Sequence, residues 1–425
     1  MEDNFTQMAP LYQAVLLLSK RDKLRFHMPG HGGEGEELFA SAKYDLTELS
    51  GADNLLSPSG AIAEAEGLLA RAYGCDRAYM FTCGSTSCMH AALAYARSLA
   101  CTRGNILYTG DMHYSFFSGL QLLGMRAEYV PEEGLEERLK RGAAGLFFTS
   151  PNYMGEVNGG EEIVRLCKKY RVKSFADCAH GAHYVFSRLL PESLTSKADV
   201  SFVSMHKTTD VFGGGAVLCA NGESAEEMHF YRSLVHTTSP SYLAMASIDF
   251  ARAKLERYGE EIYGEIKRRI CALTLPKGYE RERTDDFSRL VINCNGDAEY
   301  VMHKLEKSGI YCEAAIGEKL VLIITSHNVN GLEKLASALE KITPKPLKRL
   351  PKLRLIGSGR TDGAVAICEI DKCAGKVSGA DICLYPPGVP VIRRGDILDD
   401  RAVRFIKENA SRLSPLAYGR VIVLE

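Results

Sequence analysis

From Ala78 to Leu218, short apolar runs alternate with longer helix-like stretches. This alternation constrains the fold more than any other feature. A strand–helix–strand repeat closes most readily into a mostly parallel sheet with helices on its faces. Strands are expected at residues 78–82, 105–108, 127–130, 145–149, 174–177, 200–204 and 215–218. The spacing predicts a helix over 160–170, because Ile163, Cys167 and Tyr170 share one face. Glu161 and Glu162 in its first turn, and Lys168 and Lys169 in its last, suit the helix dipole.

Flanking segments extend the plan. Residues 8–20 read as an amphipathic helix through Leu11, Val15, Leu16 and Leu18, and 62–73 as another through Ala65, Leu68, Leu69 and Ala72. Residues 26–33 hold two histidines and three glycines in a loop. A long helical region follows Ala220, with a break near residues 237–242. Ser239 or Ser241 would cap a helix running through Ala251. Residues 260–345 read as a smaller α+β unit, with strands at 290–294 and 319–325 and helices at 298–308 and 330–342. Beyond the Thr343-Pro344-Lys345-Pro346 linker lie a proline-rich extended segment at 381–390, a helix at 401–409 and a strand at 421–424. The expected division is an amino-terminal helix and arm (1–60), a large domain (61–258), a small domain (259–345) and a carboxy-terminal domain (346–425).

Composition narrows the function classes. A net charge of −1 offers no general attraction to nucleic acid or anionic membrane. No apolar run approaches the roughly 20 residues that span a bilayer. The 13 cysteines form no CxxC pair, so no metal site is expected. The acidic start, Met1-Glu2-Asp3-Asn4, does not read as a signal peptide. A cytoplasmic protein with reduced thiols is expected.

In such a sheet a ligand sits at the carboxyl ends of the strands. Three loops there carry chemistry. After the first strand, Cys83-Gly84-Ser85-Thr86-Ser87 opens a helix, and small hydroxyl residues at a helix start can bind a phosphate. After the fifth, Asp177 begins Asp177-Cys178-Ala179-His180-Gly181-Ala182-His183. A carboxylate at a buried strand end needs a positive partner, and a pyridinium nitrogen is one. After the sixth comes Ser204-Met205-His206-Lys207-Thr208-Thr209, read as a polar loop before Gly213-Gly214-Gly215. A lysine that forms an imine beside a phosphate wants such neighbours. Together these loops point to pyridoxal phosphate (PLP) on Lys207. His113, after the second strand, could lie over a flat cofactor.

The same stretches, with residues 46–62, 237–252 and 380–396, resemble the bacterial ornithine/lysine/arginine decarboxylase family in its short form. Ser204-Met205-His206-Lys207-Thr208 and Tyr385-Pro386-Pro387-Gly388-Val389-Pro390 are its most specific pieces. The resemblance implies an aspartate-aminotransferase-like fold (PLP fold type I), with a large domain on a mostly parallel seven-stranded sheet and smaller α+β carboxy-terminal domains. It implies that Lys207 carries PLP as a Schiff base and that Ser204, His206, Gly84, Ser85 and Thr86 bind the phosphate. Asp177 would pair with the pyridine nitrogen, His113 would stack on the ring, and Ala179 and His180 would lie close to it. Thr237 or Thr238 would reach across a homodimer interface. Lys207, His206, Asp177 and His180 would be the catalytic set, and Lys207 or His206 would return a proton to Cα.

The implied reaction is decarboxylation of lysine, arginine or ornithine to a di- or polyamine. Cys178 stands where the family usually has Glu, Cys83 where it has Asn, and residues 209–214 replace its usual Leu-Pro-Ala-Leu-Thr-Gln. These departures bear on substrate choice. Asp396, at a position often Glu, is a candidate partner for a basic side chain. A PLP-dependent lyase or aminotransferase is the alternative, with Arg252 and Arg360 as candidate carboxylate anchors. A PLP-binding sensor or scaffold without turnover is a third reading.

Overall fold

The computed structural model describes residues 5–21, 41–347, 353, 355–358, 363–385, 388–416 and 419–425. The histidine-glycine loop at 26–33, Arg360 and the Pro386-Pro387 step lie outside the described residues.

Helices α1 (Pro10–Arg21) and α2 (Ala61–Tyr73) precede the main sheet. Then come β1 (Arg77–Phe81), α3 (Gly84–Arg103), β2 (Ile106–Tyr108), α4 (Tyr114–Leu122), β3 (Ala127–Tyr129) and α5 (Leu135–Lys140). They are followed by β4 (Gly145–Thr149), α6 (Gly160–Tyr170), β5 (Lys173–Asp177), β6 (Val200–Val203), the single turn α7 (Met205–Thr208) and β7 (Ala216–Ala220). All seven expected strands form, with ends displaced by a residue or two. The polar loop expected around Lys207 is instead a helical turn.

The strand order is β1-β7-β6-β5-β4-β2-β3. β7 runs antiparallel to both β1 and β6, and the remaining pairings are parallel. Most strands are separated by a crossover helix that returns the chain to the same end of the sheet. The β6–β7 link holds only α7 and folds straight back, so β7 reverses. Both faces are buried. In β4, Leu146 and Phe148 enter one apolar core while Phe147 enters the other and stacks on Phe175 of β5 at 4.4 Å. A sheet covered on both faces needs such continuous apolar runs. The register sets Thr149 of β4 beside Asp177 of β5, and Asp177 beside Phe202 of β6. Three strand ends are thereby level, and the loops that follow converge on one edge.

Helices α8 (Ser224–Val235) and α9 (Tyr242–Ala272) come next. Ser241 caps α9, its Oγ accepting from the Ala244 N–H at 3.2 Å. The helix continues well past Ala251, because Leu255, Tyr263, Ile266 and Ile270 prolong its buried stripe. Gly259 does not stop it; its missing side chain leaves room for the Phe186 carbonyl, which a Cβ would meet at 2.2 Å.

The smaller unit contains β8 (Glu280–Arg281), β9 (Arg289–Asn293), α10 (Ala298–Glu306), β10 (Ala314–Ile316), β11 (Lys319–Ile323) and α11 (Leu332–Leu339), with an antiparallel sheet in the order β10-β11-β9-β8. The final region contains β12 (Val365–Glu369), β13 (Val377–Ser378), β14 (Ile382–Leu384), β15 (Val389–Ile392), α12 (Asp400–Asn409), β16 (Leu413–Ser414) and β17 (Arg420–Leu424). These form two three-stranded sheets around a separate apolar core. The extended segment expected there includes β15, where Pro390 pairs with Cys383. Among the described residues, no helix is long and apolar enough to cross a membrane.

Candidate active site

The carboxyl edge of the main sheet opens into a cleft of about 270 Å³, open to solvent on one side. Ser85, Asp111, His113, Thr149, Asn152, Tyr153, Met154, Asp177, Ala179, His180 and Lys207 line it from the large unit. Ile316 of β10 and Val389 of β15 close it from the other two regions. That is close to the lower end of the about 300–1,000 Å³ typical of small-molecule sites.

Lys207 is held by the geometry of α7. The Lys207 N–H donates to the Ser204 carbonyl at 3.1 Å, and the Thr209 N–H to the Met205 carbonyl at 2.9 Å. Met205 is fully buried and anchors the turn in the apolar core. His206 is held from the other side: its N–H and its Nδ1 both donate to the Gly215 carbonyl, at 3.2 and 3.0 Å. A turn pinned at both ends presents Lys207 rigidly to the cleft.

The Lys207 Nζ lies 3.1 Å from the Nε2 of His180. Burial lowers the ammonium's pKa, opposed by the Asp177 carboxylate and assisted by Arg289. His180 is also pushed well down, by burial first and then by Lys207 and Arg289. Asp177 is 5% exposed at the end of β5. Its Oδ1 accepts from the Ala179 N–H at 3.0 Å, while burial raises its pKa against the pull of Lys207. A carboxylate so placed is well suited to a cation in the cleft.

The opposite wall supplies hydroxyls. Ser204 Oγ donates to Ser85 Oγ at 2.7 Å, joining α7 to the first turn of α3. That helix runs to Arg103, and the N–H groups of its first turn have no carbonyl partner within the helix. Gly214, with φ +89°, places its carbonyl 2.7 Å from the Gly84 N–H and so fixes the helix start. His113 caps α4: its Nδ1 accepts from the Ser115 N–H at 3.2 Å, and its ring meets Tyr385 edge-on. Burial and Lys207 bring its pKa down to about 4.

These residues fit PLP. The donor set offers an amine for imine formation, a buried carboxylate for a pyridinium nitrogen, and serine hydroxyls at a helix start for a phosphate. Of the residues expected at the site, Ser85, His113, Asp177, Ala179, His180 and Lys207 line the cleft, and Gly84, Ser204 and His206 stand directly behind it. Thr86 is exposed on α3. Thr237 and Thr238 are exposed and do not line this chain's cleft.

Other candidates are placed elsewhere. Asp396 does not line the cleft; its Oδ2 accepts from the Arg393 N–H at 2.7 Å. Arg252 is fully buried on α9, bound to Asp249, Glu256 and the Met8 carbonyl.

Sequence reasoning missed Arg289, Tyr153 and Glu313. Arg289 opens β9, is 1% exposed, and its Nη2 lies 3.1 Å from His180 Nδ1. In the sequence it stands just before the strand expected at 290–294, where nothing marks it as part of a site. The Tyr153 ring meets His180 edge-on at 5.1 Å, and its hydroxyl donates to Glu313 at 2.7 Å. No local pattern marks contacts between residues so distant in the chain.

Comparison with known proteins follows this geometry. A family model described as "Orn/Lys/Arg decarboxylase, major domain" matches residues 9–133 and 106–274. The chain is 28% identical to the Bacillus subtilis (strain 168) protein named "Uncharacterized protein YaaO", covering 96% of this chain and 94% of that one. It is 24% identical to an arginine decarboxylase of Bacillus anthracis, covering 94% and 92%. Among solved structures it resembles the Francisella novicida lysine decarboxylase LdcF, with a TM-score of 0.74, 15% identity, and coverage of 98% of this chain and 81% of that one. It also resembles the constitutive lysine decarboxylase of E. coli, with a TM-score of 0.72, 17% identity, and coverage of 100% and 82%.

Proposed function

The chain belongs to the Orn/Lys/Arg decarboxylase family of PLP-dependent decarboxylases, and from that premise we propose that it decarboxylates lysine, arginine or ornithine, with Lys207 as the residue that carries the cofactor. The observation that carries this reading is the convergence of Lys207, His180 and the buried Asp177 in one cleft. When bound, PLP supplies an electron sink for the pair left at Cα as CO2 departs.

The chain's own residues then divide the work. Asp177, isolated from water at the end of β5, would keep a proton on the pyridine nitrogen by charge complementarity. Ser85, Thr86, Ser204 and His206, with the first turn of α3, would hold the phosphate. His113 would pack against the ring, and its neutral imidazole would avoid a second positive charge there. Lys207 would hold the cofactor between turnovers. With substrate bound, Lys207 Nζ, 3.1 Å from His180 Nε2, would be placed to take up the proton released by the substrate amine and return it to Cα. The apolar parts of Met154, Ile316 and Val389 limit water around the departing carboxylate. The product is the amine of the parent amino acid, a di- or polyamine precursor.

Thr237 and Thr238 face solvent outside their own cleft, which supports a homodimer in which they serve the partner's site. All 13 cysteines are free thiols, consistent with a reducing cytoplasm. The aminotransferase reading loses support because the side chain of Arg252 is committed to Asp249 and Glu256.

The test is an absorbance spectrum of the purified protein, followed by CO2 measurement with L-lysine, L-arginine and L-ornithine. A cofactor band absent from Lys207→Ala, with CO2 from one of the three, is the expected result. A band without CO2 from any of them refutes the substrate class and leaves the cofactor assignment standing.

A further inference from the structure

Arg289 is a fully buried cation contributed by the smaller unit, and nothing in the reaction described above uses it. Its Nη2 reaches the Nδ1 of His180, whose Nε2 lies 3.1 Å from Lys207 Nζ. The three side chains form a line from β9, through the loop after β5, to α7.

The protons along this line can be assigned from chemistry. A guanidinium can only donate. His180 Nδ1 must therefore accept, which excludes both the imidazolium and the Nδ1–H tautomer. The remaining neutral form carries its proton on Nε2. That N–H faces Lys207 Nζ, which must then accept and so be the unprotonated amine.

We propose that Arg289 is a positioning residue that holds His180 as the Nε2–H tautomer, and thereby keeps Lys207 a neutral, nucleophilic amine ready for the cofactor. The inference rests on the reading that Lys207 carries PLP. It differs from a packing role, since an apolar residue of equal volume would fill the space without choosing a tautomer.

The electrostatic surroundings agree. Toward Lys207 face Asp177 from β5, His180 from the following loop, Arg289 from β9, Glu313 before β10 and His113 before α4. Asp177 and Glu313 favour the ammonium; burial and Arg289 oppose it. Toward His180 face Lys207, Arg289, His113 and His183, all of which disfavour the imidazolium. Arg289 is the one member of both sets that cannot lose its charge.

The experiment uses the full chain freed of PLP. Acetylation of Lys207 by acetic anhydride is followed by peptide mass spectrometry from about pH 5 to about pH 9, a range that spans the ordinary histidine value. Arg289→Met should move the rate profile to higher pH by on the order of one unit. Arg289→Lys, which keeps the charge, should restore most of the shift. His180→Gln places an amide N–H where Nε2–H stood, and in that background Arg289→Met should move the profile less.

An unmoved profile in a well-folded Arg289→Met overturns the proposal. Should Arg289→Met fail to fold, His180→Asn decides. It keeps an acceptor for Arg289 but removes the N–H facing Lys207, so an unmoved profile there overturns the proposal equally. The labelling needs no cofactor. A cofactor band that survives in Lys207→Ala would refute the assignment of Lys207 without altering these profiles.

Discussion

Ser204 Oγ donates to Ser85 Oγ at 2.7 Å, across a sequence separation of 119 residues. This bond joins the turn that carries Lys207 to the helix start that faces it. The two parts of the proposed cofactor site, the amine and the hydroxyls at the start of α3, are thus held at a set spacing. Ser204→Ala removes the donor and leaves the Ser85 hydroxyl without it. PLP should bind roughly tenfold more weakly, the scale of one lost hydrogen bond, with little change in melting temperature. A PLP titration followed by absorbance measures this.

Asp177 should oppose stability in the cofactor-free protein. Burial raises its carboxyl above the ordinary value of 3.8, and Lys207 offsets only part of that. A carboxyl raised on folding leaves stability intact below its unfolded value and lowers it as pH climbs through the folded value. At neutral pH the cost is present. Asp177→Asn should therefore raise the melting temperature of the cofactor-free protein by a few degrees, on the order of 1 kcal/mol, while weakening PLP binding by at least about tenfold. Scanning calorimetry with and without PLP separates the two effects.

The link between the large and small units should be acid-labile. His183 Nε2 lies 3.0 Å from Ser288 Oγ and 3.2 Å from Asp286 Oδ2, all three groups buried. Burial pushes the Asp286 carboxyl up, but His183, Ser288 and Arg289 outweigh it, and its pKa falls below 3.8. A lowered carboxyl contributes stability above its unfolded value, and that stability is lost as pH falls through the folded value. Asp286→Asn should cost about 1–3 kcal/mol at neutral pH. It should also reduce the acid dependence of the urea midpoint below about pH 4.

Gly214 should tolerate no side chain. Its φ is +89°, and a Cβ there would stand 2.5 Å from the Thr82 carbonyl. Gly214→Ala should destabilise the protein by about 2 kcal/mol or more. Because the Gly214 carbonyl holds the Gly84 N–H, PLP affinity should fall as well. Comparison of the urea midpoint with the PLP titration tests both.

Cys178, next to Asp177, should be inert. It is 3% exposed, and burial followed by the Asp177 charge pushes its thiol up. Cys88 is fully buried, with its thiol raised by the same two causes. Iodoacetamide should label exposed Cys83, Cys101 and Cys271 in the native protein and spare Cys88 and Cys178 until denaturation. Peptide mass spectrometry checks this. Cys178→Ala should leave activity within about twofold and cost about 1 kcal/mol of stability.

Much of the fold was legible because local patterns carry it. Gly160–Tyr170 was predicted to the residue, since its apolar period and terminal charges agree. Asp177 and Lys207 were legible because one ends a recognisable strand and the other follows one closely, and the sheet brings strand ends together. The extent of α9 was not: the helix was expected only through Ala251, and the buried stripe of Leu255, Tyr263, Ile266 and Ile270 carries it to Ala272. The turn at Met205–Thr208 was read as loop, because four residues are too few to show a helical period.

The sequence by itself determined the sheet, the edge on which a ligand sits, and the lysine and aspartate that face it. Periodicity and strand-end position are local properties, and each residue carries its share of them. Tertiary structure alone decided what surrounds those two residues. It withdrew Asp396 and Arg252 from the cleft and brought Arg289 to His180 from 109 residues away. A charged residue on a strand edge has the same local signature whether it meets water or a buried imidazole. Only packing of the smaller unit against the main sheet removes the water and turns Arg289 into a partner of the site.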